Sequence, residues 1–305
     1  AERAAHIQIN YERIPAYATA LPIAKAARPG HDPRCHYLGC GDDTAAFFLT
    51  LDAINFGSGY FPQLRKRPGM SGYFTVASCL NDKFKKEGPL SALELTRLTP
   101  EDCTQIFEQD PDSKPIGELM RLFAKALNDL GGYVQEDFNG SFKELIRAAD
   151  TSAERLMQLL IRMPYFYDVE RYDKIEVPFY KRAQLTAADL SLAFAGQGLG
   201  RFNDLKNLTI FADNLVPHVL RVDSILLYEE ELSSHIDAGE LIPSGAAEEI
   251  EIRACALYAV ELLKKARIRA GHNVTSMELD FLLWNRGQQP AYKSIPRHRS
   301  QTVFY

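Results

Sequence analysis

No run of apolar residues in this 305-residue chain approaches the roughly 18 to 20 that would span a bilayer. The opening stretch, AERAAHIQINYERIPAY, carries charge where a secretory signal would carry its apolar segment, so a cytoplasmic protein is expected. Positive charge is not in excess: 35 Lys and Arg face 40 Asp and Glu, for a net charge of −5. The chain therefore lacks the general positive field with which a protein grips a long polyanion, and a small ligand is the expected partner. Cysteine is sparse and odd in number. Cys35, Cys40, Cys79, Cys103 and Cys255 are scattered through the chain, which fits reduced thiols and small core hydrophobes, not a disulfide framework. Internal repeats and low-complexity stretches are absent too.

What is present is a large apolar fraction, 46%, enough for one substantial domain or two intimate lobes. Apolar residues recur mainly at intervals of three and four, the period of a helix, and alternating strand-like runs are scarce, so a mainly α fold is expected. In AEEIEIRACALYAVELLKKARIRAG, Pro243 and Ser244 stand at the start, Glu248 and Glu249 lie early, Lys264, Lys265, Arg267 and Arg269 lie late, and Gly271 comes after them. Those charges complement a helix dipole at both ends. Further helices are expected at 44–56, 117–130, 141–149, 152–162, 183–195 and within 208–239. Gly and Pro mark 29–43 and 62–75 as looser, and EQDPDSKPI at 108–116 as a surface connection. At most a small β element is expected, from FTVAS, KIEVPFY or the terminal TVFY.

Several motifs invite chemistry and fail on context. GHDPRCHYLGC gathers His31, Cys35, His36 and Cys40, which are zinc-ligand types, but no second ligand pair accompanies them. A loop carrying one functional histidine is the better expectation. GQGLG at 196–200 has the glycines of a phosphate loop, yet it comes after a helical pattern where such a loop needs a strand, and no lysine of the nucleotide-binding kind succeeds it. A turn between helices is expected there, with glycine supplying positive φ. Gly57-Ser58-Gly59 lacks the spacing of a nucleophile elbow. Three acids remain, each set among apolar neighbours: Asp52 in LTLDAINF, Asp213 in LTIFADNLVPHVL and Asp280 in MELDFLLWN. A carboxylate is costly to bury without a partner or a purpose, so each is either a cap or ion-pair partner, or a functional group. Lys181 in PFYKRAQ raises the same question with opposite sign; its plain reading is a stem covering the core.

LDAINFGSGYFP, VPFYKRAQLTAADL, LTIFADNLVPHVL, EEIEIRACALYAVELL, LDFLLWNRG and HRSQTVFY, in that order and spacing across residues 51–305, resemble the queuosine salvage protein family. The resemblance implies an N-glycosidase that hydrolyses queuosine 5′-phosphate and frees queuine for tRNA modification. It also implies a helical fold similar to that of helix-hairpin-helix DNA glycosylases, in agreement with LTAADLSLAFAGQGLGRFNDL read as helix, glycine turn and continuation. Residue by residue, Asp213 matches the family's catalytic aspartate, and His36, Phe211, Ala212, Asp280, Phe281 and Asn285 match positions lining the base pocket. Two departures stand out: Asn285 occupies a position where an acid is expected in eukaryotic members, and Gly57-Ser58-Gly59-Tyr60 replaces a more aromatic stretch.

The chemistry implied by the resemblance needs such residues. Breaking a ribosyl C–N bond builds positive charge on C1′ and the ring oxygen, and a fixed carboxylate stabilises that charge more than the ground state. Queuine is a 7-deazaguanine, so protonation of N7 is not available to improve the leaving group. Hydrogen bonds to the rest of the base must do more, with Asp280 accepting from its N–H edge or from the side-chain amine. Phe211 and Phe281 offer apolar faces to it, and Lys181 or Arg182 would hold the 5′-phosphate. The expectation is a monomer without metal or cofactor that handles a modified nucleotide and queuine as small molecules and forms no stable nucleic-acid complex. The competing readings are a glycosylase acting on a base flipped from DNA or RNA, and a non-catalytic queuine-binding protein.

Overall fold

The computed structural model describes residues 1–22 and 30–305. Of the loose segment expected at 29–43, Pro29 lies outside the described residues. In chain order the elements are β1 (Ile7–Ile9), α1 (Ile14–Ala20), α2 (Asp42–Ala53), α3 (Gly72–Glu87), α4 (Ala92–Leu95), α5 (Pro100–Ile106), α6 (Lys114–Phe138), α7 (Phe142–Ala148) and α8 (Ala153–Leu160). They continue with β2 (Val169–Tyr172), β3 (Ile175–Pro178), α9 (Lys181–Ala193), α10 (Leu215–Val222), β4 (Leu226–Tyr228), α11 (Glu230–Asp237), α12 (Ala247–Arg269), α13 (Ser276–Gly287) and α14 (Pro290–Lys293). The chain is mainly helical, and no helix among the described residues is long and apolar enough to cross a membrane.

Two compact units are assembled from interleaved segments. The first comprises residues 1–29, 168–181 and 206–302. Its centre is α12, against which α1, α10, α13 and β1 pack. This helix is buried on several sides: Ile252, Cys255, Ala256, Ala259, Val260 and Leu263 belong to the core together with Ile7, Phe179, Val216 and Leu283. Its acids do more than complement the dipole. Glu251 is buried and accepts the backbone N–H groups of Ala5 (2.9 Å), His6 (2.7 Å) and Ile7 (3.1 Å), so one carboxylate seats the entry to β1. Antiparallel β1–β4 and β2–β3 pairs complete the unit.

The second unit comprises residues 30–167, 182–205 and 303–305. Here α6 packs against α2, α4, α5 and α7, with Phe107, Leu119, Phe123, Leu127 and Leu130 in the interior. Close approach of α6 to α4 depends on Gly131, where a Cβ would stand 2.5 Å from the Ala92 carbonyl oxygen and 2.7 Å from the Thr96 nitrogen. Arg182, 1% exposed, is a brace: its guanidinium donates to the carbonyls of Asp52 (3.1 Å), Ala53 (2.6 Å), Val303 (2.7 Å) and Tyr165. A guanidinium occupied by four carbonyls is not available to a phosphate, which removes Arg182 from the phosphate-binding expectation.

Three local expectations need correction. FTVAS is not a strand but lies in α3, which begins at Gly72 inside the segment expected to be loose, and whose N-cap Ser71 accepts from the Phe74 N–H. TVFY is not a strand either; the Tyr305 carbonyl instead accepts from Gly57 N (3.0 Å) and Ser58 N (3.4 Å). The helix before GQGLG ends at Ala193, and positive φ at Ala195, Gly196 and Gly198 makes the expected turn. Beyond the turn the chain forms a pair of short 3-10 turns, Gly198–Gly200 and Leu205–Asn207, instead of a continuing helix.

Candidate active site

In the first unit, residues 208–214 have no regular structure, so their backbone groups cannot rely on a helix or sheet ladder. Two successive residues are instead held by side chains distant in sequence, and the third turns its own carboxylate onto the backbone that follows. Phe211 N–H donates to Asp280 Oδ1 at 2.9 Å. The Ala212 carbonyl accepts from Arg253 Nε at 2.9 Å. Asp213 Oδ1 then accepts from the N–H groups of Leu215 (2.7 Å) and Val216 (3.2 Å) at the start of α10. Pro217, next in the helix, has no N–H to satisfy. A carboxylate so placed answers the amides left open at a helix start and sits at the positive end of its dipole. Asp213 is half-buried, leaving part of its surface open to a ligand.

The clamp on Ala212 is itself anchored by charge. Arg253, on α12, is 0% exposed and meets Asp168 in a two-bonded pair, Nη1 to Oδ1 at 3.0 Å and Nη2 to Oδ2 at 2.6 Å. Glu249 lies one turn earlier, with Oε1 3.5 Å from Nη1, and the Phe179 ring centroid is 3.9 Å from the guanidinium carbon. Asp168 Oδ2 also accepts the Lys181 N–H at 3.1 Å. The sequence expectation for Lys181, a buried stem at the head of a helix, therefore has a backbone link to the same ion pair. Arg253 and Asp168 were not anticipated from the sequence; the available signal was a base in IEIRACAL, set among apolar neighbours just as the three acids are.

Helix α13 carries Asp280, Phe281 and Asn285 and is started by a capping box between Thr275 and Glu278. Asp280 is 3% exposed and faces inward. Phe281 is half-buried, its ring edge-on to Phe211 with centroids 6.0 Å apart. Asn285, one turn beyond Phe281, is exposed.

Arg297, also unanticipated, is half-buried in the segment after α14. Burial lowers its guanidinium below the usual range, and the Asp213 carboxylate acts in the opposite sense. The backbone around it is tied to the Asp213 turn, because Asn214 Nδ2 donates to the His298 carbonyl at 3.4 Å.

His36 belongs to the second unit. Its Nδ1 lies 3.1 Å from the Asp32 nitrogen and 3.0 Å from the Asp32 carbonyl oxygen, and its Nε2 lies 3.0 Å from the Tyr73 hydroxyl. A hydroxyl both donates and accepts, so Tyr73 serves either tautomer. Phe48 stacks on His36 at 5.9 Å, and His31 lies 4.7 Å from it, ring centre to ring centre. Burial, then the charge of His31, brings His36 down to about 4. His31 also falls to about 4 through burial, its Nε2 held 3.0 Å from the Asp189 carbonyl oxygen. Both rings are thus neutral near pH 7. Burial and the Asp189 and Asp52 carboxylates push the Tyr73 hydroxyl well above its usual range. Of the potential zinc ligands nearby, Cys35 is buried and Cys40 exposed; no group of three His, Cys, Asp or Glu poised for a metal occurs among the described residues.

Taken together, the first unit presents a fixed carboxylate beside two aromatic rings and a half-buried guanidinium. Comparison with known proteins gives this arrangement a context. The pattern of the queuosine salvage protein family matches residues 35–305. A queuosine 5′-phosphate N-glycosylase/hydrolase of Sphaerobacter thermophilus is 34% identical, with 100% of this chain and 94% of the relative covered. Proteins of the same name from Dictyostelium discoideum, 34% identical over 86% of this chain and 78% of theirs, and from Mus musculus, 29% identical over 100% and 96%, are also similar.

Proposed function

This chain belongs to the queuosine salvage protein family, and on that premise we propose that it hydrolyses the N-glycosidic bond of queuosine 5′-phosphate to queuine and ribose 5-phosphate. The observation that carries the reading is the Asp213 turn, where three successive residues are locked and the last presents a half-buried carboxylate. In the reaction the C1′–N bond breaks with its electron pair leaving on the base, water supplies hydroxyl to C1′, and its remaining proton ends on the departing nitrogen. Asp213 stabilises the positive charge that develops at C1′ and the ring oxygen. Because the amides of Leu215 and Val216 already hold Oδ1, the carboxylate needs no reorganisation as that charge appears.

Phe281, half-buried and backed edge-on by Phe211, offers the base an apolar surface, a contact of about 1 to 3 kcal/mol per stacked base. Asp280 fixes Phe211 through its backbone and adds a carboxylate beside the base. Lys181 is assigned to the ribose-phosphate side, and Ala212, His36 and Asn285 are kept as substrate-lining residues on the strength of the family resemblance. The same resemblance supports a fold of the helix-hairpin-helix glycosylase kind. A net charge of −5 supports action on a free nucleotide without a stable nucleic-acid complex, and the protein is taken to act as a cytoplasmic monomer.

The test is direct. Purified protein is incubated with queuosine, queuosine 5′-phosphate and GMP, and free base is quantified chromatographically. Queuine release from the 5′-phosphate, with no guanine from GMP, is expected; release from neither queuosine compound overturns the proposal.

A further inference from the structure

Among the described residues the internal arginines are paired, with one exception. Arg253 holds Asp168 and the Ala212 carbonyl, Arg182 holds four carbonyls, Arg267 donates to the carbonyls of Ala18 (3.2 Å) and Thr19 (3.4 Å), and Arg221 pairs with Asp237 (2.8 Å). Arg297 is half-buried, and its guanidinium has no hydrogen-bond or ion-pair partner among the described residues. Yet its backbone is pinned on both sides. Arg221 Nη1 donates to the Pro296 carbonyl (3.3 Å), Asn214 Nδ2 to the His298 carbonyl (3.4 Å) and Ile242 N to the Arg299 carbonyl (2.9 Å). A guanidinium carries five donors, and removing it from water without a partner is costly. A cation that is pre-placed, half-buried and without a hydrogen-bond partner among the described residues, with Asp213 acting on it only through charge, has its donors open to a further anion.

The position adds a second constraint. The Asn214 to His298 bond joins the residue after Asp213 to the residue after Arg297, placing both side chains at one turn of the same unit. Left unbalanced, a positive charge there opposes the cation that must form at C1′. A dianionic group bound to the guanidinium removes that opposition, and the planar fork of arginine matches phosphate oxygens in pairs. Resting on the N-glycosidase reading above, we propose that Arg297 binds the 5′-phosphate of the nucleotide and that the phosphate thereby draws the guanidinium away from Asp213. The substrate's own phosphate then does two things: it anchors the ribose, and it leaves the Asp213 charge undivided for the transition state. Arg297 thereby contributes, beside Lys181, to preference for nucleotide over nucleoside, and its contribution shows in kcat as well as in KM.

The experiment compares kcat and KM for queuosine 5′-phosphate and queuosine in the wild type, Arg297→Gln and Arg297→Lys. The nucleotide-to-nucleoside ratio of kcat/KM is expected to fall roughly ten- to hundredfold in Arg297→Gln, as for the loss of hydrogen bonds to a charged group. Arg297→Lys, which keeps the charge but not the fork, is expected to recover part of it. A ratio unchanged in both variants, or an equal proportional loss on both substrates, overturns the assignment. Titration of ribose 5-phosphate and ribose into wild type and Arg297→Gln separates this from the reaction itself. Loss of the phosphate-dependent binding in the variant supports the assignment even if no queuosine compound is hydrolysed, whereas equal binding of ribose 5-phosphate by both proteins refutes it while wild-type queuine release still upholds the N-glycosidase reading.

Discussion

Replacing Asp213 by Asn and by Ala separates the hold of its side chain on the start of α10 from the catalytic role proposed for it. Asn keeps a carbonyl oxygen where Oδ1 accepts from Leu215 and Val216, so the start of α10 stays capped and only the charge is lost. Asn and Asp are about equal as helix caps, and the lost charge–dipole attraction is worth about 0.3 to 1 kcal/mol, so Asp213→Asn is expected to lower Tm by roughly 2 °C or less. Ala removes the acceptor as well, which adds about 1 kcal/mol. Turnover is expected to respond quite differently. On the proposed mechanism both variants lose the anion that faces C1′, and a loss of about 10² to 10³ or more in kcat is expected for each, corresponding to roughly 2.7 to 4 kcal/mol of transition-state stabilisation. Single-turnover release of queuine, measured beside thermal unfolding of the same samples, reads both quantities and separates chemistry from product release. A folded Asp213→Asn protein with turnover within tenfold of the wild type would remove the carboxylate from the mechanism. Equal stability of the Asn and Ala variants would refute the capping role.

Arg253→Met leaves the buried Asp168 carboxylate without its guanidinium, and a loss of about 3 to 5 kcal/mol in stability by denaturant unfolding is expected; a change below about 1 kcal/mol would show that the pair does not hold the unit together. Asp280→Ala strands the buried Phe211 N–H at a cost of about 1 to 3 kcal/mol, which Asp280→Asn restores through its own oxygen. If Asn restores stability without activity, the Asp280 charge serves the substrate; if Ala is as stable as wild type, the clamp is not significant. Acid is expected to weaken the fold, because burial lowers His31 and His36 to about 4 and His298 to about 3. Each unfolded imidazole takes a proton near pH 6.5 that the folded one refuses, so stability is full above that pH and falls by about 1.4 kcal/mol per unit per histidine down to the folded value. His6, raised by its surface pair with Glu229, acts weakly in the opposite direction. Urea unfolding at pH 7.5, 6 and 5 measures the slope, and a flat profile would contradict neutral burial.

The helices with a clear three-four period were legible from sequence to within a few residues at most boundaries, as in α2, α7, α8, α9 and α12, while α6 runs well beyond the expected 117–130. Helix α3 was not. Its GYFTVASC opening combines aromatic and β-branched residues that fit a strand, and the Gly and Pro before it suggest a loop; packing of Val76, Leu80 and Phe84 into the second unit decides for helix. The small sheets were half legible. KIEVPFY contains β3, but β1 and β4 are three residues each, and their pairing joins Ile7 to Tyr228 across most of the chain. At the site, Asp213 and Asp280 were visible as acids in apolar runs. Their work was not visible, because the partners of residues 211 and 212 lie 69 and 41 positions away and no local pattern encodes such contacts.

The irregular backbone at 208–214 explains why so much charge gathers around one short turn. A helix or strand fixes its carbonyls and amides by repetition, which also fixes where its side chains point. The catalytic carboxylate proposed here would need a direction that neither repeat offers, so each backbone group is held individually. Carbonyl 212 takes Arg253, and that buried guanidinium in turn requires Asp168 and Glu249. Amide 211 takes Asp280. The conspicuous EEIEIR stretch of α12 is thus support for the turn and for β1, not chemistry. A guanidinium committed to structure, like that of Arg253, is not free for the substrate. On the proposed reading, the half-buried Asp213, held through Oδ1, is the anion for the ribosyl cation, and the half-buried Arg297 the cation for the phosphate.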